Sequence, residues 1–404
     1  MKPAKSAWLD AEQVVELLGV SRATLYAYVS RGRIRSEAAS GGDRRRRYAR
    51  DDVERLLART RERRNPEKAA EQALHWGLPI MESAITLIAD ERIYYRGHDS
   101  ALLARSSSIA EVAALIWTGS ADGGVFAAPT RVTVAKQAPA AVPFVARAQS
   151  TLALAAARDP LAYDLRARAV AQTGWRILHL LTRVATPGAT ERSTIDETLA
   201  ASWGVTRSVD LVRAALILSA DHELNVSAFT ARCVASAGAA PYGVVIAGLT
   251  ALAGTKHGGT TARIETLWDS LRRTRDLRGA LTERLRRGEP IEGFGHPLYA
   301  AGDPRARMLL EMLPKSKTTT FVRELAGAAQ DVLGEAPTVD FALVAVARSL
   351  GLPDGAALTL FAIGRAIGWI GHAIEQYGRD SIIRPRAKYV GEMPAERRAA
   401  GVTS

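Results

Sequence analysis

The sequence predicts a mainly α-helical protein built as a small basic head followed by a large helical body. Three observations carry that prediction: apolar residues recur at helical spacing through most of the chain, alternating strand-like runs are scarce, and positive charge gathers at one end. Residues 1–64 hold 16 Lys+Arg against 9 Asp+Glu, a balance of +7, so the rest of the chain carries only +5 of the net +12. A basic head on a nearly balanced body directs any polyanion to the head. With 404 residues and 47% apolar content the chain can bury one large core or two ordinary ones. The single cysteine, Cys233, excludes a disulfide framework and a cysteine-based zinc site and fits a reducing compartment. The N-terminal MKPAKSAWLD has no apolar stretch of the secretory kind, so the protein reads as globular, soluble and cytoplasmic.

The elements of the head follow in order. Asp10 and Gln13 form a capping pair for a first helix, whose buried face is Val14, Val15, Leu17 and Leu18. Gly19-Val20 turns the chain, and Ser21 caps a second helix from Arg22 to about Ser30. Leu25 and Val29 point inward there, while Arg22, Thr24, Tyr26 and Arg31 face out. Ile34 to Glu37 and Arg44 to Tyr48 flank Gly41-Gly42-Asp43 as a hairpin, with Arg44, Arg45, Arg46 and Arg47 on one arm. Asp51 and Asp52 suit the first turn of a third helix carrying Val53, Leu56 and Leu57. This pattern resembles the winged helix-turn-helix domains of the excisionase and MerR type. The resemblance implies a domain over residues 1–64 that binds double-stranded DNA through Arg22, Thr24, Tyr26 and the four wing arginines, with 65–74 as linker. Docking on the protein's own body is the alternative role for the same module.

In the body, ALLARSSSIAEVAALIW, the segment from Asp164 to Leu181, SVDLVRAALILSA and TARIETLWDSLRRT carry apolar stripes of helical period. ITLIADERIYYRG (85–97) is the best hairpin candidate, and 121–143, rich in Ala and Pro, is the expected long loop. Cys233 to Thr255 runs 23 residues without a charge, long enough to span a bilayer. Pro241, the glycines and the alanine-rich composition argue instead for a buried or subunit-interface helix over about 242–253, and no membrane partner is expected.

Three of the seven histidines stand in polar or glycine-rich surroundings: Asp221-His222-Glu223, Lys256-His257-Gly258-Gly259 and Gly295-His296-Pro297. Consecutive helical residues diverge by about 100°, so the first triplet cannot ligate one ion from a regular helix. The zincin spacing fails because Val226 stands four residues after His222, and Val-Ala-Ser-Ala-Gly at 234–238 lacks the first glycine of a hydrolase elbow. Neither a Walker loop nor a dinucleotide fingerprint is present. Glycines beside histidines let a ligand approach the backbone. Arg305, Arg365 and Arg384 each stand where a guanidinium can clamp a carboxylate.

Taken in order, ADHELNVSAFTARCVASAGA (220–239), LAGTKHGG (252–259), GFGHPLYAAGDPRA (293–306), VDFALVAVARSLGLP (339–353) and LFAIGRAIGWIGHAIEQYGRDSIIRPRAKYVG (360–391) closely resemble bacterial and archaeal citrate synthases. SAITLIADERIYYRGHD (83–99) is similar to their N-terminal hairpin. The resemblance implies a citrate synthase fold over 75–404, with a large helical domain and a small one of about 259–355, assembled as a homodimer. It implies condensation of acetyl-CoA, the co-substrate, with oxaloacetate, or of propionyl-CoA in the 2-methylcitrate variant. By the same resemblance Asp340 is the general base, His257 supports the forming enol, and His296 polarises the ketone of oxaloacetate. His222, Arg305, Arg365 and Arg384 hold its carboxylates, Arg384 arriving from the other subunit. Relatives often carry basic residues between His296 and Asp303, where this chain has Pro-Leu-Tyr-Ala-Ala-Gly, so CoA contacts stay unassigned, with Lys315 and Lys317 as nearby candidates. The basic head also leaves open a DNA-binding regulator whose body senses these metabolites.

Overall fold

The computed structural model describes residues 8–18, 20–30, 34–38, 46–53, 81–126, 139, 141–190, 192, 194–387 and 389–392. Arg44, Arg45, Arg31, Gly19, Leu56, Leu57, the expected linker and residues 127–138 of the expected long loop lie outside them. The chain divides into two units, residues 1–82 and 83–404.

In the first unit the order is β1 (Trp8–Leu9), α1 (Ala11–Leu18), α2 (Arg22–Ser30), β2 (Ser36–Ala38) and β3 (Arg46–Ala49), with residues 50–53 helical. The capping pair forms reciprocally: Gln13 N–H donates to Asp10 Oδ1 at 2.8 Å and Asp10 N–H to Gln13 Oε1 at 3.1 Å. Ser21 caps α2 through the Thr24 amide. The wing is a three-stranded antiparallel sheet ordered β1-β3-β2, so the expected hairpin gains Trp8–Leu9 as a third strand. Ile34, expected on the hairpin arm, is instead buried with Leu9, Val14, Leu18, Leu25, Tyr48 and Val53 in the unit's own core. Leu17 corrects the expected buried face of α1: it is exposed, because residues 14 and 18 lie one turn apart on the covered side and 17 falls off that stripe. Asp52 does more than suit a helix start. It is buried and accepts the Arg35 amide and guanidinium, both at 2.8 Å.

The second unit opens with β4 (Thr86–Ala89), β5 (Arg92–Tyr95) and β6 (His98–Asp99), a meander in sequence order. Asp90 and Glu91 connect the first two strands with φ of 50° and 57°, the double left-handed geometry of a tight hairpin turn. Helices follow: α3 (Ser100–Ser106), α4 (Ile109–Thr118), α5 (Phe144–Ala156), α6 (Ala167–Ala185), α7 (Ile195–Ser202) and α8 (Val209–Leu218). Ser108 and Glu111 form a capping box that starts α4 and divides the apolar stripe of 101–117 into two helices. Then come α9 (Val226–Ser236), α10 (Pro241–Leu252), α11 (Thr260–Leu271), α12 (Leu277–Arg286), α13 (Pro304–Glu311), α14 (Lys317–Leu333), α15 (Val339–Leu350) and α16 (Ala356–Tyr377).

The uncharged stretch of 233–255 resolves into the end of α9 and a twelve-residue α10 begun by Pro241 at its first turn. Among the described residues the helix long and apolar enough to cross a membrane is α16, and 89% of its apolar window is buried inside the protein, as a core helix requires. Helices α6, α8, α9, α10 and α15 pack around it. Its glycines permit that: a Cβ on Gly364 would stand 2.4 Å from the Leu216 carbonyl oxygen.

Candidate active site

The sequence-selected groups of the body converge on a few loops and helix ends around α16. His222 follows α8 in a short turn, with Glu223 at φ 51° bending the chain away before Asn225 caps α9. Its Nε2 lies 2.6 Å from the Tyr299 hydroxyl, and its ring meets the His296 ring edge to face at 5.3 Å between centroids. Burial, then the nearby Arg305 and Arg365 cations, holds His222 well below the usual imidazole range, so it is neutral at pH 7.

His296 stands in a loop that glycine makes possible. Gly293 and Gly295 have φ of 97° and 77°, and a Cβ on Gly295 would fall 2.6 Å from Glu335. Gly295 N–H donates to Ala336 O and Thr338 N–H to Gly293 O, both at 2.9 Å, which ties this loop to the start of α15. The Leu298 amide donates to His296 Nδ1 at 3.2 Å. An acceptor at Nδ1 places the proton of the neutral ring on Nε2. Burial and then Arg305 lower the pKa of His296, so that neutral donor form prevails at pH 7.

Asp340 sits in the first turn of α15. Its Oδ1 is buried with no hydrogen-bond partner among the described residues, and burial, only partly offset by Arg305 and Arg365, pushes the carboxyl up to about 6. A buried carboxyl that titrates near neutrality is suited to act as a base. His257 sits at the turn between α10 and α11, its Nε2 2.8 Å from the Ser227 hydroxyl, and burial followed by Arg365 lowers it to about 4. It too is neutral at pH 7.

The arginines divide. Arg365 is buried on α16, donates Nε–H to the Ser219 carbonyl at 2.7 Å and lies over the Phe361 ring; burial lowers it to about 10, so it stays charged. Arg305 is buried and pairs bidentately with Asp303, through Nε at 2.9 Å and Nη2 at 2.7 Å, and lies over the Tyr299 ring. Asp303 also caps α13 and accepts the Val339 amide at 3.0 Å, which joins Arg305 to the Asp340 turn. Arg384 is not brought into this cluster: it is exposed in the extended segment after α16. Lys315 and Lys317 are exposed. A cavity of about 630 Å³ opens beside His296, lined among others by Tyr299, Gln330 and Glu335.

Sequence reasoning missed Tyr299, Ser227 and Asp303 as partners of the selected histidines and arginine. All three lie inside the quoted motifs, but nothing in their spacing signals a contact between residues 222 and 299. In the head, Arg22 and Tyr26 are exposed on α2 and Thr24 is half-buried, its hydroxyl 3.0 Å from that of Ser21. Arg46 and Arg47 are exposed on β3, opposite Ala38 and Glu37.

The chain matches the family model described as citrate synthase, C-terminal domain, over residues 73–386, and a helix-turn-helix domain model over residues 8–61. It is 35% identical over 203 residues to citrate synthase 2 of Bacillus subtilis, a stretch that covers 47% of this chain and 55% of that protein. It is 37% identical over 186 residues to the citrate synthase of Haloferax volcanii, covering 44% and 49%. The chain thus spans about half the length of these curated relatives. Its fold resembles that of the citrate synthase of Thermoplasma acidophilum, solved as a ternary complex with carboxymethyl coenzyme A and oxaloacetate. The TM-score is 0.65 at 22% identity, over 80% of this chain and 97% of that one. Matched by the family model along most of its length, the chain belongs to the citrate synthase family.

Proposed function

We propose that the protein condenses acetyl-CoA with oxaloacetate and hydrolyses the resulting citryl thioester to citrate and CoA. The observation that carries this reading is the Asp340 carboxylate, buried without a partner for Oδ1 among the described residues and raised to about 6, in a cluster whose imidazoles are neutral. Asp340 takes a proton from the acetyl methyl group. His257 donates to the thioester oxygen as the enol forms, because stabilising a developing oxyanion calls for a donor already fixed in place. His296 presents Nε2–H to the ketone of oxaloacetate, and the enol carbon attacks that ketone. His222, Arg305 and Arg365 hold the carboxylates, with Arg384 supplied by the second subunit of a homodimer. Arg305 exchanges part of its pairing with Asp303 for the substrate. The cavity beside His296 receives the acyl-CoA, and the segment 259–355 closes over the reactants to exclude water. No metal or redox cofactor enters these steps.

The test is thiol release from acetyl-CoA and from propionyl-CoA, each with oxaloacetate. Release is expected, and the ratio of the two rates gives the acyl preference, since one methylene is worth only about 1–3 kcal/mol. No release from either overturns the enzyme reading. Oxaloacetate binding without release would assign the body a sensing role. A second activity is favoured by the exposed Arg22, Tyr26, Arg46 and Arg47: the head binds double-stranded DNA, with phosphates gripped by the wing and α2 entering the major groove. The full chain should shift genomic duplex fragments at low salt and lose them as salt rises.

A further inference from the structure

One buried polar cluster has no part in the chemistry above. Asp221 stands next to His222 in the chain and is fully buried. Its Oδ2 accepts the Thr86 hydroxyl of β4 at 2.6 Å, and its Oδ1 lies 3.1 Å from Nε2 of His372, itself fully buried on α16. An ionised carboxylate offers only acceptors, so each of these donors fixes one oxygen. The Asp221 carboxyl is kept ionised, its burial outweighed by His372, Thr86 and Arg365.

Gly364, Gly368 and His372 stand four residues apart, on one face of α16. A Cβ on Gly368 would come within 2.4 Å of both the Ala220 carbonyl and Asp221 Oδ1, while the Gly368 amide donates to that carbonyl at 3.0 Å. Arg365 donates to the Ser219 carbonyl one residue earlier. Residues 219–221 are therefore laid along α16 and fastened at each step, and His222 is the next residue out.

We propose that His372 is a positioning residue: through Asp221 it sets the place and orientation of the His222 imidazole. This rests on the reading of His222 as a ligand for oxaloacetate. His372 does not touch that ligand site. Its Nδ1 faces the other way, with no hydrogen-bond partner among the described residues and with Glu375 Oε2 at 3.9 Å. Glu375 is engaged by Arg232 Nη1 at 3.1 Å and by the Ala84 amide at 2.7 Å. One nitrogen of the ring is thus committed to Asp221, and the ring is fully buried.

The experiment compares His372→Leu, which fills the space without a donor, with His372→Gln, which restores one. Oxaloacetate and acetyl-CoA affinities are measured by calorimetry on the full chain, and the imidazole Cε1–H signal of His222 is followed by NMR without ligand. In H372L, oxaloacetate binding weakens about tenfold or more while acetyl-CoA affinity holds within about twofold, as loss of one donor to a buried charge predicts. The His222 signal moves, and H372Q recovers most of both changes. Equal behaviour of H372L and H372Q, or a parallel loss for both ligands, would make His372 a packing residue and overturn the proposal. The NMR arm separates this from the functional reading: an unmoved His222 signal overturns the positioning role, whereas an unmodified chain that binds no oxaloacetate overturns the assignment of His222 as a ligand. Should H372L fail to fold, Thr86→Val removes the other donor from the hairpin side. It should weaken oxaloacetate about threefold with acetyl-CoA unchanged, and no change there would likewise count against the proposal.

Discussion

The head and the body use charge in opposite ways. In the head, Arg22, Arg46 and Arg47 are exposed, and the ion pair of Arg22 with Glu12 is open to water on both sides. Such charges act through solvent and are screened by salt. In the body, Asp340, Arg365, Arg305 and His222 are withdrawn from water; burial drives the shifts of Asp340, Arg365 and His222, whereas burial opposes the upward shift of Arg305, which its Asp303 partner causes. The same residue types are therefore solvated in one unit and withdrawn from water in the other. What separates them is solvent, not sequence composition.

The largest break in that contrast comes from Asp340→Asn. On the proposed role of Asp340 as the base, the change should lower thiol release by about 10²–10⁴-fold with oxaloacetate affinity retained. The same change should stabilise the fold at neutral pH. A carboxyl raised from 3.8 to about 6 binds its proton more tightly in the folded state, so its favourable contribution is complete below about 4 and is lost as pH rises through about 6. At pH 7.5 the buried charge then costs on the order of 2–3 kcal/mol, which Asn relieves. Thermal melts of both proteins at pH 7.5 and pH 4 check the sign: the gain should appear at the first and vanish at the second. An equal or lower melting temperature for the variant at pH 7.5 would show that the carboxylate is solvated after all.

A smaller and graded effect follows in the unmodified protein. With Asp340 as the proposed base, which must be deprotonated to act, kcat/KM should climb about tenfold per pH unit up to about 6 and then level off. The histidines add no limb between pH 6.5 and 8, because His257 lies near 4 and His222 and His296 are also lowered. A profile with an inflection near 7 would instead place the titrating group on a histidine and overturn the neutral-imidazole reading.

Much of this arrangement was legible from residues alone. Capping signals at Asp10 and Ser21, together with apolar periodicity, located helix starts because those effects are local, whereas Pro241, read as a break in the uncharged stretch, stands in the first turn of α10. The ordered motifs gathered His222, His257, His296, Asp340, Arg305 and Arg365. Pairings across long separations were not legible. Tyr299 meets His222 and His372 meets Asp221 only because α16 and the glycine loop at 293–295 bring distant segments together, and no spacing rule encodes that. Leu17 went astray for a related reason: the first helix has apolar residues on more than one face, and only the packed core decides which are covered. The Asp303 pairing of Arg305 was likewise invisible, since adjacency in sequence does not say which way a guanidinium turns.

The smallest expected effect tests the head side of the comparison. Glu12 Oε1 holds Arg22 Nη2 at 3.0 Å, with both side chains largely in water, so the pair adds little to folding. Its consequence for binding has a definite sign. Glu12 neutralises a cation at the start of α2, where the helix N-terminus already favours an anion, and it presents negative charge to any phosphate approaching there. Glu12→Gln should therefore leave the head's melting behaviour unchanged and tighten duplex binding a few-fold at low salt. That gain should shrink as ionic strength rises, because it is electrostatic. Salt-dependent fluorescence anisotropy with a labelled genomic duplex, run on the full chain and on E12Q, gives both readings. Weaker binding by E12Q would mean that the ion pair orients Arg22 toward the DNA, so that even an exposed charge in the head would depend on a fixed partner, as the buried charges of the body do.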